Sequence, residues 1–417
     1  MTSRADLLRD RIIAHFLPKP PETLGVAVSG GSDSLALLVL LNDWRREGGP
    51  KLVAVTVDHR LRDEARDEAE QVARICEGLD IPHETLAWTD WNGQGNLPDQ
   101  ARRARYGLMV DWASARGIDA IALGHTADDQ AETFLMRLAR EAGVDGLSAM
   151  AATRRQGKVI FCRPALHISR EELRDVLRDR GMAWVDDPSN ADLAYERVRA
   201  RRVLAALAPL GITAQNLSNV AHHMSDVRDT LYWYAFLAAR KSVGFQQGDL
   251  LIDRKGFRAL RGEIARRLLQ DALKWVSGAE YGPRGRAMDL LLDAIRSGNS
   301  MTLQGCQITV GTEQLRVSRE YNAVAGLRCG TDEIWDGRWK ITGPVTVGAE
   351  IAALGHEGLS ECPEWRESGL PLASVIASPA VWQGRELLAA PVARSENGWS
   401  AEMIRDGEHY FAALLSH

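Results

Sequence analysis

The chain has 417 residues, 45% hydrophobic and 26% charged, with a formal net charge of −5. That composition excludes a wholly disordered polymer and lacks the overall basic footprint of many nucleic-acid binders. Length alone predicts about two or three domains. The longest apolar run, Leu35–Leu41, falls far short of the ~20 residues of a membrane span, so no membrane partner is expected. The start, MTSRADLLRDRI, has no apolar signal core, and the expected location is the cytoplasm. Cys76, Cys162, Cys306, Cys329 and Cys362 include no C-x-x-C pair, which removes the usual signature of a zinc ribbon, an iron–sulfur cluster or a thioredoxin-type site.

Taken in order, the first 190 residues alternate strand and helix. Strands are predicted at Leu24–Val28, Leu52–Val57, Ile81–Ala87, Ala120–Leu123 and Val159–Cys162. Helices are predicted at Leu35–Trp44, Asp63–Gly78, Ala101–Arg116 and Asp128–Arg140. Strands separated by such helices imply parallel crossovers and a doubly wound, Rossmann-like α/β sheet, with ligands at the carboxyl ends of the strands. Asp186-Asp187-Pro188-Ser189-Asn190 reads as a turn. Residues 191–300 read as mostly helical, and from 301 short strands such as Gln307–Val310 and Gln314–Val317 alternate with glycine turns. The expected division is a catalytic domain over 1–205, a mainly helical domain over 206–330 and a small α+β region over 331–417.

Ser29-Gly30-Gly31-Ser32-Asp33-Ser34 follows the first strand and opens a helix. Glycines let backbone N–H groups approach an anion, and the helix N-terminus adds partial positive charge. No Gly-Lys-Ser/Thr follows, so this is neither a Walker loop nor a dinucleotide G-x-G-x-x-G. A helix cap needs one such residue, not six. A carboxylate beside phosphates makes sense if Asp33 holds a cation.

VAVSGGSDS resembles the phosphate loop of the N-type ATP pyrophosphatases, which adenylate a substrate oxygen and release pyrophosphate. The motifs downstream narrow the resemblance. They are Val57-Asp58-His59-Arg60-Leu61-Arg62, Asn96, Ala101-Arg102-Arg103-Ala104-Arg105-Tyr106, Gly124-His125-Thr126-Ala127-Asp128-Asp129-Gln130-Ala131-Glu132-Thr133, Asp186–Asn190 and Tyr195-Glu196-Arg197-Val198-Arg199-Ala200-Arg201. In this order they resemble the tRNA(Ile)-lysidine synthetase family over about residues 20–205. Val198 departs from that pattern, which usually has Asn there.

The resemblance implies conversion of the wobble cytidine of a CAU anticodon to lysidine, with ATP, Mg2+, free L-lysine and tRNA(Ile) as cofactor and partners. Ser29–Ser34 would bind ATP, with Asp33 on magnesium or the amine. Asp128, Asp129 and Glu132, at spacings of three and four, share a helix face that suits a cationic substrate, although N-terminal helix acids also favour the macrodipole. His125 is a candidate for proton transfer. Arg102 and Arg105 lie on one face and suit phosphate or adenylate, or else solvent. Asp58 borders the nucleotide. Arg197, Arg199 and Arg201 are assigned to tRNA phosphates. A homodimer is a further expectation that no residue specifies. Two other readings stay open: a tRNA-thiolating enzyme of the same ATP group, and a tRNA-binding protein with a dead nucleotide site.

Overall fold

The computed structural model describes residues 3–60, 64–89, 91, 96–185, 195–283 and 285–415. Leu61, Arg62 and the expected turn at 186–190 lie outside the described residues. The chain forms two compact units, Met1–Arg228 and Asp229–His417.

The first unit runs α1 (Arg4–Ala14), β1 (Thr23–Ala27), α2 (Ser32–Arg46), β2 (Lys51–Asp58), α3 (Glu64–Gly78), β3 (His83–Ala87), α4 (Leu97–Ala115), β4 (Ala120–Leu123) and α5 (Ala127–Leu138). It continues with α6 (Val144–Leu147), β5 (Thr153–Gln156), β6 (Val159–Cys162), α7 (Arg170–Asp179) and α8 (Glu196–Leu207), before the long α9 (Ala214–Ser242). The strands form one sheet in the order β3-β2-β1-β4-β6-β5, parallel except for β5 against β6. β1 is central, with Val26 opposite Ala54 on one side and Ala122 on the other. Its Leu24 and Val26 are fully buried, as a strand covered on both faces requires.

One face of the sheet packs α1, α2 and α7 through Leu8, Ile12, Leu35, Leu38, Leu173 and Leu177. The other packs α4 through Tyr106, Met109 and Trp112 against Val55, Ile121 and Phe161. Gly25 permits this closeness, because a Cβ there would lie 3.1 Å from Ile121 and 3.2 Å from Trp112. The chain crosses over β1 between β3 and β4, so the switch point of the winding lies between β1 and β4.

In the second unit, β7 (Val243–Gln246), β8 (Asp249–Asp253), β9 (Met301–Leu303), β10 (Cys306–Val310) and β11 (Gln314–Arg319) make an antiparallel sheet in the order β7-β8-β11-β10-β9. α10 (Arg254–Ala259), α11 (Gly262–Ser277) and α12 (Arg286–Arg296) accompany it, and Leu268, Leu269, Leu273, Leu291 and Ile295 share its core with Ile252, Ile308 and Val317. The stretch 206–330, expected to be mainly helical, thus also holds six strands among the described residues, these five and Arg328–Gly330. β7 and β8 form a local hairpin, and β8 joins the rest of the sheet through β11, some 60 residues on by the strand register, a pairing for which local pattern carries no information. Beyond it, two smaller antiparallel sheets enclose Trp335, Trp339, Ile351, Val381 and Trp399.

Candidate active site

At the carboxyl ends of β1 and β4 a cleft of about 410 Å3 opens, lined by the Ser29–Ser34 loop, Gly124, His125, Asp129 and the arginines 105, 170, 174 and 201. Gly30 sits in the left-handed region at φ +82°, which glycine adopts without strain. Gly31 caps α2, so the helix N-terminus and its free N–H groups face the cleft. The loop is tied internally. Ser29 N donates to Ser34 Oγ at 3.1 Å, Ser34 Oγ donates to Gly31 O at 3.1 Å, and Val185 N donates to Gly30 O at 3.0 Å. Gly124 ends β4 against the loop: a Cβ there would stand 2.7 Å from Ser34 Cα and 2.8 Å from Ser34 N.

Three carboxylates meet on one guanidinium. Arg170 Nε donates to Asp33 Oδ2 at 2.8 Å, its terminal nitrogen reaches Asp129 Oδ1 at 3.3 Å, and another lies 3.7 Å from Glu132 Oε1. Arg201 Nε donates to the same Glu132 oxygen at 2.5 Å. Glu132 is 1% exposed, and its Oε2 has no hydrogen-bond partner among the described residues. Burial raises the Asp33 and Glu132 carboxyls, with Arg170 and Arg201 working against it. Burial also presses on Asp129, but Arg170, His125 and the Thr126 N–H hold that carboxyl below its usual value. Asp129 completes a capping box, accepting from Thr126 N at 2.9 Å. Asp128 points elsewhere and accepts from Arg170 N at 2.7 Å, at the start of α7.

Burial pushes His125 down to about 3, so its imidazole is neutral at neutral pH and a weak base. Its Nδ1 has no partner among the described residues. Arg105 lines the cleft, whereas Arg102 is exposed and lies 5.2 Å from the Tyr106 ring. Asp58 is not part of the lining; its Oδ1 accepts from Arg60 N at 2.8 Å. On α8, Arg197 and Arg199 are exposed, and Arg201 turns into the cleft. Val198 is buried at 7% exposure between them, so a substitution there probes packing.

Arg170 and Arg174 were not singled out in the sequence. Ser169-x-x-Glu172 is a legible capping box, formed here with Ser169 N donating to Glu172 Oε2 at 2.8 Å, and it places Arg170 at the first helical position. That α7 packs on α2 and so brings Arg170 over Asp33, 137 residues away, is a tertiary fact. Arg174 Nε lies 3.3 Å from Ser32 Oγ.

For magnesium, the described residues hold no cluster of three or more His, Cys, Asp or Glu arranged as a cage. Asp33 with Ser32 Oγ at 2.9 Å fits the other common mode, one or two protein oxygens plus phosphate oxygens. The cysteines are free, and burial raises Cys76 and Cys162 to about 11 and Cys306 to about 12, which leaves them protonated and unreactive.

A Ser/Gly loop opening a helix at the switch point of a parallel sheet defines a PP-loop ATP-binding protein, and the PP-loop domain model matches residues 6–207. The tRNA(Ile)-lysidine synthase of Ruegeria pomeroyi is 51% identical over the whole of both chains. That of Bradyrhizobium sp. is 36% identical over 74% of this chain and 92% of its own, and that of Brucella anthropi 35% over 87% and 84%. The chain belongs to the tRNA(Ile)-lysidine synthase family. Among the described residues no helix is long and apolar enough to cross a membrane.

Proposed function

We propose that the protein ligates free L-lysine to C2 of the wobble cytidine in the CAU anticodon of tRNA(Ile), consuming ATP and changing the codon read from AUG to AUA. The cytidine 2-oxygen attacks the α-phosphate of ATP, and pyrophosphate leaves. The lysine ε-amine, once deprotonated, attacks C2 of the adenylated base. The C2–O bond then breaks, and AMP departs with that oxygen. The observation that carries this reading is the juxtaposition of the α2 N-terminus, which suits phosphates, with Asp33, Asp129 and Glu132, which suit a cation.

Ser29–Ser34 hold the phosphates with Arg105 and Arg174 in support, and Asp33 and Ser32 hold Mg2+, which when bound neutralises charge on the departing pyrophosphate. Glu132 and Asp129 bind the ammonium of lysine, with Glu132 Oε2 available to accept from it. His125, neutral, accepts or donates one hydrogen bond rather than serving as a strong base. Arg197 and Arg199 contact tRNA phosphates, Asp58 flanks the nucleotide, and residues 206–330 and 331–417 bind the body and acceptor stem of the tRNA. Free, high-pKa cysteines suit a reducing cytoplasm and speak against thiolation chemistry. Trp233, Tyr234 and Leu237 leave apolar surface exposed on α9, where a homodimer would close.

The test is attachment of radiolabelled lysine to a tRNA(Ile) transcript with a CAU anticodon. Incorporation that requires ATP supports the reading; ATP-independent or absent incorporation refutes it.

A further inference from the structure

Many arginines of the first unit face a carboxylate: Arg9 meets Glu47, Arg116 meets Glu84, Arg180 meets Asp43. Even Arg103 on α4 pairs with Asp99 at 2.9 Å. One group of three, gathered on a single ring, does not. Arg102 and Arg154 place their guanidinium groups 5.2 and 5.4 Å from the centre of the same ring, that of Tyr106. A third, Arg163, reaches the Tyr106 hydroxyl at 3.4 Å and is itself 4% exposed, with Nε unpartnered among the described residues. No carboxylate among the described residues forms an ion pair with any of the three. Burial pushes the Tyr106 hydroxyl up, yet Arg163, Arg102 and Arg105 together hold it below its ordinary value. The positive charge there is therefore uncompensated.

Like charges gathered without counter-charge are unfavourable unless an anion joins them. Placement says which anion. Arg154 lies on β5, the edge strand, opposite Phe161 and hence on the α4 face of the sheet. Its neighbour Arg155 pairs with Ile160 and points to the other face. Arg105, one turn along α4 from Arg102, already lines the cleft, and exposed Arg197 on α8 lies close enough to lower Arg105 further. The cations thus run as a line from α8, past the cleft mouth, to the sheet edge. A nucleotide or a free phosphate fills one position on such a line; a polynucleotide backbone, with a charge at every residue, fills all of it. The Tyr106 ring, only 5% exposed, is a floor under the guanidinium groups and not a stacking platform for a base.

We propose that Arg102 and Arg154, seated on Tyr106, form a phosphate rail that receives the RNA strand flanking the modified nucleotide. The proposal rests on the lysidine reading for the identity of that RNA, and its partner is the anticodon arm of the substrate tRNA.

The test is binding of the full chain to a tRNA(Ile) transcript with a CAU anticodon, as a function of salt. Arg154→Ala should flatten the slope of log affinity against log salt by about 0.7 to 0.9 and weaken binding about threefold near physiological salt, as expected for one lost phosphate contact. Arg154→Glu should weaken it further. Arg155→Ala, on the opposite face, should leave affinity and slope unchanged, and KM for ATP should stay constant in Arg154→Ala. Arg154→Gln keeps the comparison available if charge reversal perturbs folding. Unaltered affinity and slope in Arg154→Ala and Arg154→Gln would overturn the rail, as would an equal loss in Arg155→Ala. The two readings fail separately. Wild-type protein that binds tRNA but attaches no lysine sinks the lysidine reading, while the salt slope still judges the rail.

Discussion

At the scale of the residue, Asp33 separates folding from function. Its carboxylate meets Arg170 at 2.8 Å, and Asn can accept from Arg170 in the same place but supplies no charge to a metal ion. Asp33→Asn should melt within a few degrees of the parent and lose adenylation by about 100-fold or more, the scale of a lost charge-stabilising group; pyrophosphate release at the parental rate would reduce Asp33 to a partner of Arg170. Arg201 behaves differently. It is one of two cations on a buried carboxylate, and removing one partner of a buried pair costs up to about 3–5 kcal/mol, less here because Arg170 stays within 3.7 Å. Arg201→Ala should therefore lower stability by about 1–3 kcal/mol, and Glu132→Gln with Arg201→Ala should cost less than the two separately, measured by urea unfolding. Strict additivity would show that the pair is not coupled.

His125 gives a pH prediction. Its folded-state value lies near 3, below the ordinary 6.5 of an unfolded histidine, so between these the unfolded chain binds the extra proton. Stability is then full above about pH 6.5 and declines as pH falls towards 3, by up to about 1.4 kcal/mol per pH unit from this residue alone. His15, His59, His83 and His167 are lowered as well, first by burial, and add in the same direction. His125→Gln should make unfolding free energy between pH 6.5 and 5 visibly less pH-dependent. An unchanged slope would mean that His125 titrates normally.

At the scale of the element, the contact of β4 with the start of α2 sets the cleft. Gly124→Ala must push a methyl to within 3 Å of the Ser34 backbone, so either the loop or the strand end shifts. The variant should lose about 1–3 kcal/mol of stability and show a raised KM for ATP, with the lysine requirement less affected. Unchanged KM would show that the loop tolerates displacement.

The same element shows what could be read in the sequence. β1, β2 and β4 announced themselves because a strand buried on both faces is a continuous apolar run, and the loop after β1 because few other functions need glycine and serine so densely. β5 did not, since Thr-Arg-Arg-Gln has no apolar alternation and pairs as an edge strand only by courtesy of β6. Arg170 is invisible as a site residue for another reason: the capping box signals its helix, but its neighbours across α2 are set only by tertiary packing. Asp128 and Asp129, adjacent in sequence, were read as a pair, yet successive helix residues diverge by about 100°, and they meet different groups of Arg170, Asp128 its backbone N and Asp129 its guanidinium.

At the scale of the whole molecule, the first unit contains every residue that lines the cleft, while the second holds antiparallel sheets and helices with a separate core. That division suits an enzyme whose small-molecule chemistry is complete in one unit and whose RNA substrate extends well beyond it. The central claim is that the cytidine 2-oxygen itself becomes the leaving group by attacking the α-phosphate. The most direct measurement follows that atom: tRNA(Ile) carrying 18O at C2 of the wobble cytidine, turned over with ATP and lysine, and the AMP analysed by mass spectrometry. The account predicts one 18O in each AMP formed. Unlabelled AMP accompanying lysidine would contradict it, because the oxygen would then have left by another route.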